Sequence, residues 1–302
     1  MDSLDCEGLW AATLGCSVVL LVATDVEAAL LAPALRDSGE FLVATKRVLV
    51  GELSPLEPGL GSDDAGLRVA MAITGLDKVN AAHLLTCLLQ AMNPRPRLVL
   101  QTGIAGALPS VGTFAPAVVG DVVIATRDAY SDTGSSSPAG WLSARELGWP
   151  MASVGGIESG GVFTFDGRLV TAALQVVAEA AARDDESAFV AIRPEQHPRV
   201  MAGPCVTASQ VTGVAAEAEE LAGRWGALAE SMEGAAAAHV CGLYGVPFLE
   251  VRGISNLVGD RDRAHWQVRR AVAAASWATR AIVDAFEILP LPEVRPRPRE
   301  DD

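Results

Sequence analysis

Two carboxylates, one carboxamide and a run of small residues stand where short apolar stretches of this chain give way to polar ones. Glu27 closes the order Ala23-Thr24-Asp25-Val26-Glu27, which puts an acid beside a strand end and a helix start. A plain helix-terminus charge, stabilising by about 0.3–1 kcal/mol, explains it equally well. Glu233 lies in Glu230-Ser231-Met232-Glu233-Gly234-Ala235-Ala236-Ala237-Ala238, ahead of a helix of tiny residues. A carboxylate in so closely packed a place needs hydrogen-bond donors, because burying it without them is costly. The two vicinal hydroxyls of a ribose would supply them, one to each oxygen, with Met232 lining the sugar face. A capping or surface glutamate is the plainer alternative.

Asn256 ends the stretch Phe248-Leu249-Glu250-Val251-Arg252-Gly253-Ile254-Ser255-Asn256. Its amide presents a donor and an acceptor side by side and can engage a heterocycle edge that carries both; a turn-forming Asn is the bland alternative. The run Leu100-Gln101-Thr102-Gly103-Ile104-Ala105-Gly106-Ala107-Leu108 reads as a strand entering a turn of small residues, where exposed amides face an oxygen or an anion. It contains neither a Walker lysine nor a Gly-x-Gly-x-x-Gly fingerprint, so nothing here argues for a nucleoside triphosphate or NAD. His83, His197, His239 and His265 make no triad or metal spacing, and core or surface packing is the role they suggest.

These side chains need elements to position them. Apolar or β-branched runs at residues 17–23, 41–50, 68–74, 98–102, 121–126, 200–208 and 248–254 read as buried strands. Helical spacing predicts helices over 27–36, 78–92, 168–182, 215–224, 232–244 and 264–286. Such alternation implies a largely parallel sheet covered by helices, with the site beyond the carboxyl ends of the strands. No repeat and no Pro/Gly-rich linker divides the chain, so one domain over 16–289 is expected, preceded by a flexible extension at 1–15 and followed by a Pro-rich charged tail at 290–302. The stretch 130–161, with Ser135-Ser136-Ser137-Pro138, Trp141, Trp149 and Gly155-Gly156, reads as a long loop.

Bulk properties narrow the partners. In 302 residues, 50% hydrophobic and 5% aromatic, a formal net charge of -14 repels phosphate polymers and anionic membranes at long range. Arg295, Arg297 and Arg299 alternate with prolines before Glu300, Asp301 and Asp302, a solvated tail rather than a nucleic-acid patch. The 5 cysteines are scattered with no C-x-x-C pair, which fits a reduced, cytoplasmic setting. The apolar run 10–23 follows acidic residues and is not a signal-peptide core, and no uninterrupted stretch has the length of a membrane span.

Taken in order, Glu27, the Thr102-Gly103-Ile104-Ala105-Gly106 run, Ser231-Met232-Glu233-Gly234 and Arg252-Gly253-Ile254-Ser255-Asn256 resemble the nucleoside phosphorylase and nucleosidase superfamily across nearly the whole chain. The Met-Glu-Gly-Ala run followed by Arg-Gly-Ile-Ser-Asn is similar to the futalosine hydrolase branch, whose nearest cousin is the methylthioadenosine/S-adenosylhomocysteine nucleosidase. The resemblance implies a three-layer αβα sandwich around a central mixed, largely parallel sheet. It implies hydrolysis of an N-glycosidic bond, releasing hypoxanthine and dehypoxanthine futalosine in menaquinone biosynthesis. By it, Glu27 holds or deprotonates the attacking water, Glu233 binds the ribose 2′ and 3′ hydroxyls and Met232 packs on the sugar. Val211 and Thr212 border the base, and Ile104, Ala105 and Gly106 lie near ribose and water.

Two departures matter. Relatives often carry a hydroxyl residue where this chain has Ile104, which leaves the water without an evident second partner. Adenine-cleaving nucleosidases carry Asp at the position of Asn256 to protonate N7; Asn cannot supply that proton but suits a 6-oxopurine, so hypoxanthine is the expected leaving group. No Gly-Asp-Pro-x-x-Arg motif follows the first strand, so water rather than phosphate is the expected nucleophile. An adenine-nucleoside or aminodeoxyfutalosine nucleosidase is the rival reading, and a non-catalytic nucleoside-binding module the distant one. The resemblance implies no metal or organic cofactor, a small-molecule nucleoside as partner, and a homodimer or higher homo-oligomer.

Overall fold

The computed structural model describes residues 6–53, 66–110, 115–154, 157–182 and 198–294. Its strands are β1 (Val18–Val22), β2 (Leu35–Val43), β3 (Lys46–Leu53), β4 (Leu67–Ile73), β5 (Leu98–Ala107), β6 (Val122–Tyr130), β7 (Gly134–Ser137), β8 (Gly140–Ser143), β9 (Ser153–Val154), β10 (Ile157–Glu158), β11 (Val162–Thr164), β12 (Val200–Thr207), β13 (Ala229–Ser231) and β14 (Phe248–Leu257). Its α-helices are α1 (Cys6–Thr13), α2 (Asp25–Ala28), α3 (Lys78–Ala91), α4 (Gly167–Ala182), α5 (Ala215–Trp225), α6 (Gly234–Tyr244) and α7 (Val268–Asp284).

A 10-stranded sheet runs in the order β11-β6-β12-β13-β5-β1-β4-β3-β2. β14 lies off that path and bridges it, pairing parallel with β5 and antiparallel with β6. Because β6, β12, β13 and β5 are themselves joined in sequence, β14 closes them into a ring. The sheet is thus mixed: parallel through β4-β1-β5-β14, antiparallel at the β2-β3-β4 edge and where β13 meets β5. β1 is Val-Val-Leu-Leu-Val with every residue buried, which a strand needs when both its faces are covered. α3 packs with α1 and α6, and α7 with α4, α2, β5 and β14, making a three-layer αβα sandwich. Among the described residues no helix is long and apolar enough to cross a membrane.

Several elements differ from their sequence signals. The run 41–50 is not one strand: Ala44 (φ 47°) and Thr45 (φ 71°) fold it into a tight β2–β3 hairpin. Successive positive φ values match the twist of the flanking strands, although neither residue is the Gly or Asn that advertises such a turn. Helical spacing over 27–36 yields only the single turn α2 and a 3-10 turn at Ala32–Ala34, because Pro33 blocks continuation and Leu35 opens β2. The stretch 130–161 carries the hairpins β7–β8 and β9–β10 where a loop was expected. Within 1–15, Cys6–Thr13 forms α1 and buries Leu9. The Thr102-Gly103-Ile104-Ala105-Gly106 run is not a turn: β5 continues straight through it to Ala107, zipped to β14 and β13. Most of the 290–302 tail, with Arg295, Arg297 and Arg299, lies outside the described residues, as do His197 and Gly155-Gly156.

Candidate active site

Glu27 is buried at the mouth of β1 because Thr24 caps the one-turn helix α2 in both directions. The Glu27 N–H donates to Thr24 Oγ1 (3.3 Å), and Glu27 Oε2 accepts from the N–H groups of Thr24 (3.0 Å) and Ala23 (2.9 Å). This capping box fixes one carboxylate oxygen. The other, Oε1, turns across to β5 and accepts from the Ile104 N–H at 2.9 Å. Lacking a side chain, Gly103 makes room for that oxygen: a Cβ built there would stand 2.3 Å from Glu27 Oε1.

On the other side of β5, β14 delivers Arg252, which is fully buried. Its Nε donates to Glu250 Oε1 (2.8 Å), and Nη1 reaches Glu233 Oε2 and the Ile104 carbonyl, each at 3.4 Å. Nη2 is buried and has no hydrogen-bond partner among the described residues. Burial works against the charge on Arg252, but the carboxylates of Glu250, Glu233 and Glu27 outweigh it and raise its pKa above the ordinary arginine value. Glu233, the residue before α6, takes a second contact from the Asp77 N–H to Oε1 (3.2 Å). Asp77 achieves this at φ 83°, ψ 158°, a conformation costing about 1–3 kcal/mol outside glycine, and its carboxylate accepts from Ser209 Oγ at 2.7 Å. Burial pushes the Glu233 carboxyl up, Arg252 pulls it down, and the net shift is upward.

The third part of the site is a bulge. β14 pairs Ile254 with Ala105 and then Asn256 with Gly106, leaving Ser255 as an extra residue that re-aims Asn256. Ser255 Oγ donates to Asn256 Oδ1 (2.7 Å), and Asn256 Nδ2 donates to the Leu257 carbonyl (3.0 Å). A carbonyl only accepts, so the amide group beside Leu257 is the NH₂, and it keeps one N–H to offer. Asn256 Nδ2 would be 3.3 Å from a Cβ at Gly106. Gly106 is in turn the register partner of Glu230, whose carboxylate accepts from Thr212 N (3.0 Å) and Thr212 Oγ1 (2.5 Å). The Thr212 carbonyl accepts from Gly259 N–H at 3.3 Å, so both backbone groups of Thr212 are engaged.

Glu27, Ile104 and Glu233 therefore meet through Arg252, while Ala105, Gly106 and Asn256 meet at the β5–β14 bulge. Thr212 joins them through Glu230, Val211 is exposed beside it, and Met232 is half-buried next to Glu233. Sequence reasoning passed over Arg252, Glu250, Asp128, Asp77 and Glu230 as site residues. A signal for two of them existed: Glu250 and Arg252 alternate within an apolar strand, whereas charges rarely enter strands buried on both faces.

The family model of the phosphorylase superfamily matches residues 17–286. The chain is 36% identical to the futalosine hydrolase of Streptomyces coelicolor over 65% of its own length and 70% of the relative's. It is 32% identical to the futalosine hydrolase of Thermus thermophilus, over 70% of its own length and 79% of that protein. Its fold is similar to that of the methylthioadenosine/S-adenosylhomocysteine nucleosidase of Neisseria meningitidis in complex with methylthio-immucillin-A, at a TM-score of 0.66, 24% identity, 89% coverage of this chain and 99% of the other.

Proposed function

Since the chain belongs to the phosphorylase superfamily, we propose that this site is that of a futalosine hydrolase, cleaving the N-glycosidic bond with water and releasing hypoxanthine. The observation that carries the substrate choice is the pinned amide of Asn256, with its oxygen turned to Ser255 and one N–H left over. Oxygen 6 of hypoxanthine accepts such a donor; the 6-amino group of adenine opposes it. A site that leaves a polar group unpaired with the wrong base discriminates by several kcal/mol.

The remaining roles follow from charge and geometry. Glu27 Oε1 is held by a single backbone N–H and has a lone pair left to take a proton from water. The water's second partner, missing from a side chain at Ile104, is the guanidinium of Arg252, whose Nη1 lies on the same side of Gly103 as Glu27 Oε1. Glu233 anchors the ribose hydroxyls. A ribosyl oxocarbenium ion is cationic, and Glu27 and Glu233 place negative charge where it develops. The same carboxylates disfavour a phosphate dianion as nucleophile, since the guanidinium of Arg252 that faces them is already bonded to Glu250. The partner is a nucleoside, and a homodimer or larger homo-oligomer belongs to the same reading.

The test is product identification with futalosine, inosine and methylthioadenosine, each with and without phosphate. Hypoxanthine from futalosine at a rate indifferent to phosphate is expected. Preferential release of adenine from methylthioadenosine would favour the adenine-nucleosidase reading, and no release from any of them the non-catalytic one.

A further inference from the structure

Behind the site lies a cluster that the steps above leave unused. Asp128, on β6, and Glu250, on β14, are both fully buried. They face each other beneath the first residue of α6, where a Cβ built on Gly234 would stand 2.2 Å from Asp128 Oδ2 and equally 2.2 Å from Glu250 Oε1. Thr207 Oγ1 donates to Asp128 Oδ2 at 2.9 Å and itself accepts from the Ala235 N–H at 2.8 Å, so Asp128 is tied to the start of α6. Glu250 Oε1 takes the Nε of Arg252, while Asp128 Oδ1 and Glu250 Oε2 find no donor among the described residues. Four carboxyl groups, of Glu27, Asp128, Glu233 and Glu250, thus act on one guanidinium inside a site where none is more than 6% exposed. Four buried negative charges against one positive charge cannot persist, and two carboxyls in contact lessen the imbalance by retaining a proton.

We propose that Asp128 and Glu250 share one proton and act as a positioning pair, with Glu250 gripping the Nε edge of Arg252 so that its Nη edge is presented between Glu27 and Glu233. The pair works as a unit. A protonated Asp128 gives Glu250 the donor that it lacks and prevents a second charge from competing for Arg252. An ionised Glu250 balances Arg252 and leaves Glu27 and Glu233 available for water and ribose. Burial first, and then the charge of Glu250, push the Asp128 carboxyl well above its ordinary range. Cys205 on β12 and Tyr130 on β6 border the pair, and burial raises both, so neither contributes an additional charge.

This inference rests on the hydrolase reading for the roles of Glu27 and Glu233, but one of its tests needs no substrate. The infrared spectrum of the free protein near neutral pH should contain a protonated-carboxyl carbonyl band that Asp128→Asn removes. Glu250→Gln, which takes away the charge opposing Arg252, should lower kcat about tenfold or more with a smaller change in KM. Asp128→Asn, whose amide replaces the carboxylic acid in shape and as a donor, should cost less turnover than Glu250→Gln. Turnover is measured on whichever purine nucleoside the wild type cleaves, so an inert response to futalosine refutes the substrate reading and not the pair. Absence of the band from the wild type, its persistence in Asp128→Asn, or an equal loss in the two variants would overturn the pair. Failure of Asp128→Asn to fold would do the same, because a neutral acid tolerates its amide. If Glu250→Gln does not fold, the band and the Asp128→Asn protein decide.

Discussion

Glu27 and Arg252 reach the backbone of Gly103 from two elements, Glu27 from α2, just beyond β1, and Arg252 from β14. A Cβ at Gly103 would meet Glu27 Oε1 at 2.3 Å and Arg252 Nη1 at 3.0 Å. The acid proposed to activate water and the cation proposed to steady it are thus both set by one glycine of β5.

Gly103→Ala should for that reason separate catalysis from folding. The atoms displaced are the ends of long side chains, so the sheet survives, but Glu27 and Arg252 move apart by a large fraction of an ångström. Misplacement on that scale costs about 10²-fold in rate. Steady-state kinetics should show this loss in a protein whose thermal unfolding stays close to wild type.

Glu27→Gln should lower turnover by about 10²–10⁴-fold, the range that a positioned base contributes. The amide also sets an NH₂ against one of the N–H groups now served by Glu27, of Ala23 and Thr24 at Oε2 or of Ile104 at Oε1, so a modest loss of stability accompanies it. Turnover equal to wild type would remove Glu27 from the mechanism.

Asn256→Asp should move the base preference toward adenine nucleosides. Unlike an amide, the carboxyl of Asp can give up a proton, and Ser255 Oγ, which now donates to Asn256 Oδ1, can hold its other oxygen. A protonated carboxyl is the donor that departure of adenine calls for at N7. The ratio of kcat/KM for methylthioadenosine to that for futalosine is the measurement, and an unmoved ratio would refute the role given to Asn256.

How far the site could be read in advance depended on whether chemistry was local in the chain. Glu27, Glu233 and Asn256 stand at element ends, where a polar residue after an apolar run is visible without tertiary information. The ring of β5, β14, β6, β12 and β13 was not legible, since its closure depends on pairings between strands far apart in sequence. Reading 102–106 as a turn followed from its glycines, yet those glycines serve close approach: Gly103 admits Glu27, and Gly106 admits Asn256 and Val258. Arg252 was passed over although it stood inside a motif singled out for its neighbours. Its importance comes as much from Ile104 on β5 and Glu233 ahead of α6 as from Glu250 on its own strand, and no spacing along one strand reveals the first two.

The acid limb of the activity profile should lie above the range of an ordinary glutamate. In its proposed role Glu233 accepts from both ribose hydroxyls as a carboxylate, and burial, with Glu27 and Glu250 nearby, raises it above 4.5 despite Arg252 and the Asp77 N–H. Its carboxylate form is therefore lost at a higher pH than in a solvated side chain. The dependence of kcat/KM on pH tests this, and a limb at or below 4.5 would contradict it.

Stability should carry the opposite signature of the Asp128–Glu250 pair. In the unfolded chain Asp128 ionises near 3.8; in the folded protein its pKa is raised well above that by burial and by Glu250. Between the two values the native state binds a proton that the unfolded state has released, so Asp128 contributes stability that is fully present below about 3.8 and is lost as pH rises through the folded value. Each pH unit of that window removes about 1.4 kcal/mol from the difference between wild type and Asp128→Asn, whose amide does not titrate. Other buried groups with raised values, Glu233 and Glu230 among them, act in both proteins and cancel in the comparison. Urea denaturation of the two proteins across the window should therefore show wild type losing ground to the variant as pH increases. A difference independent of pH would mean that Asp128 is charged in the folded protein.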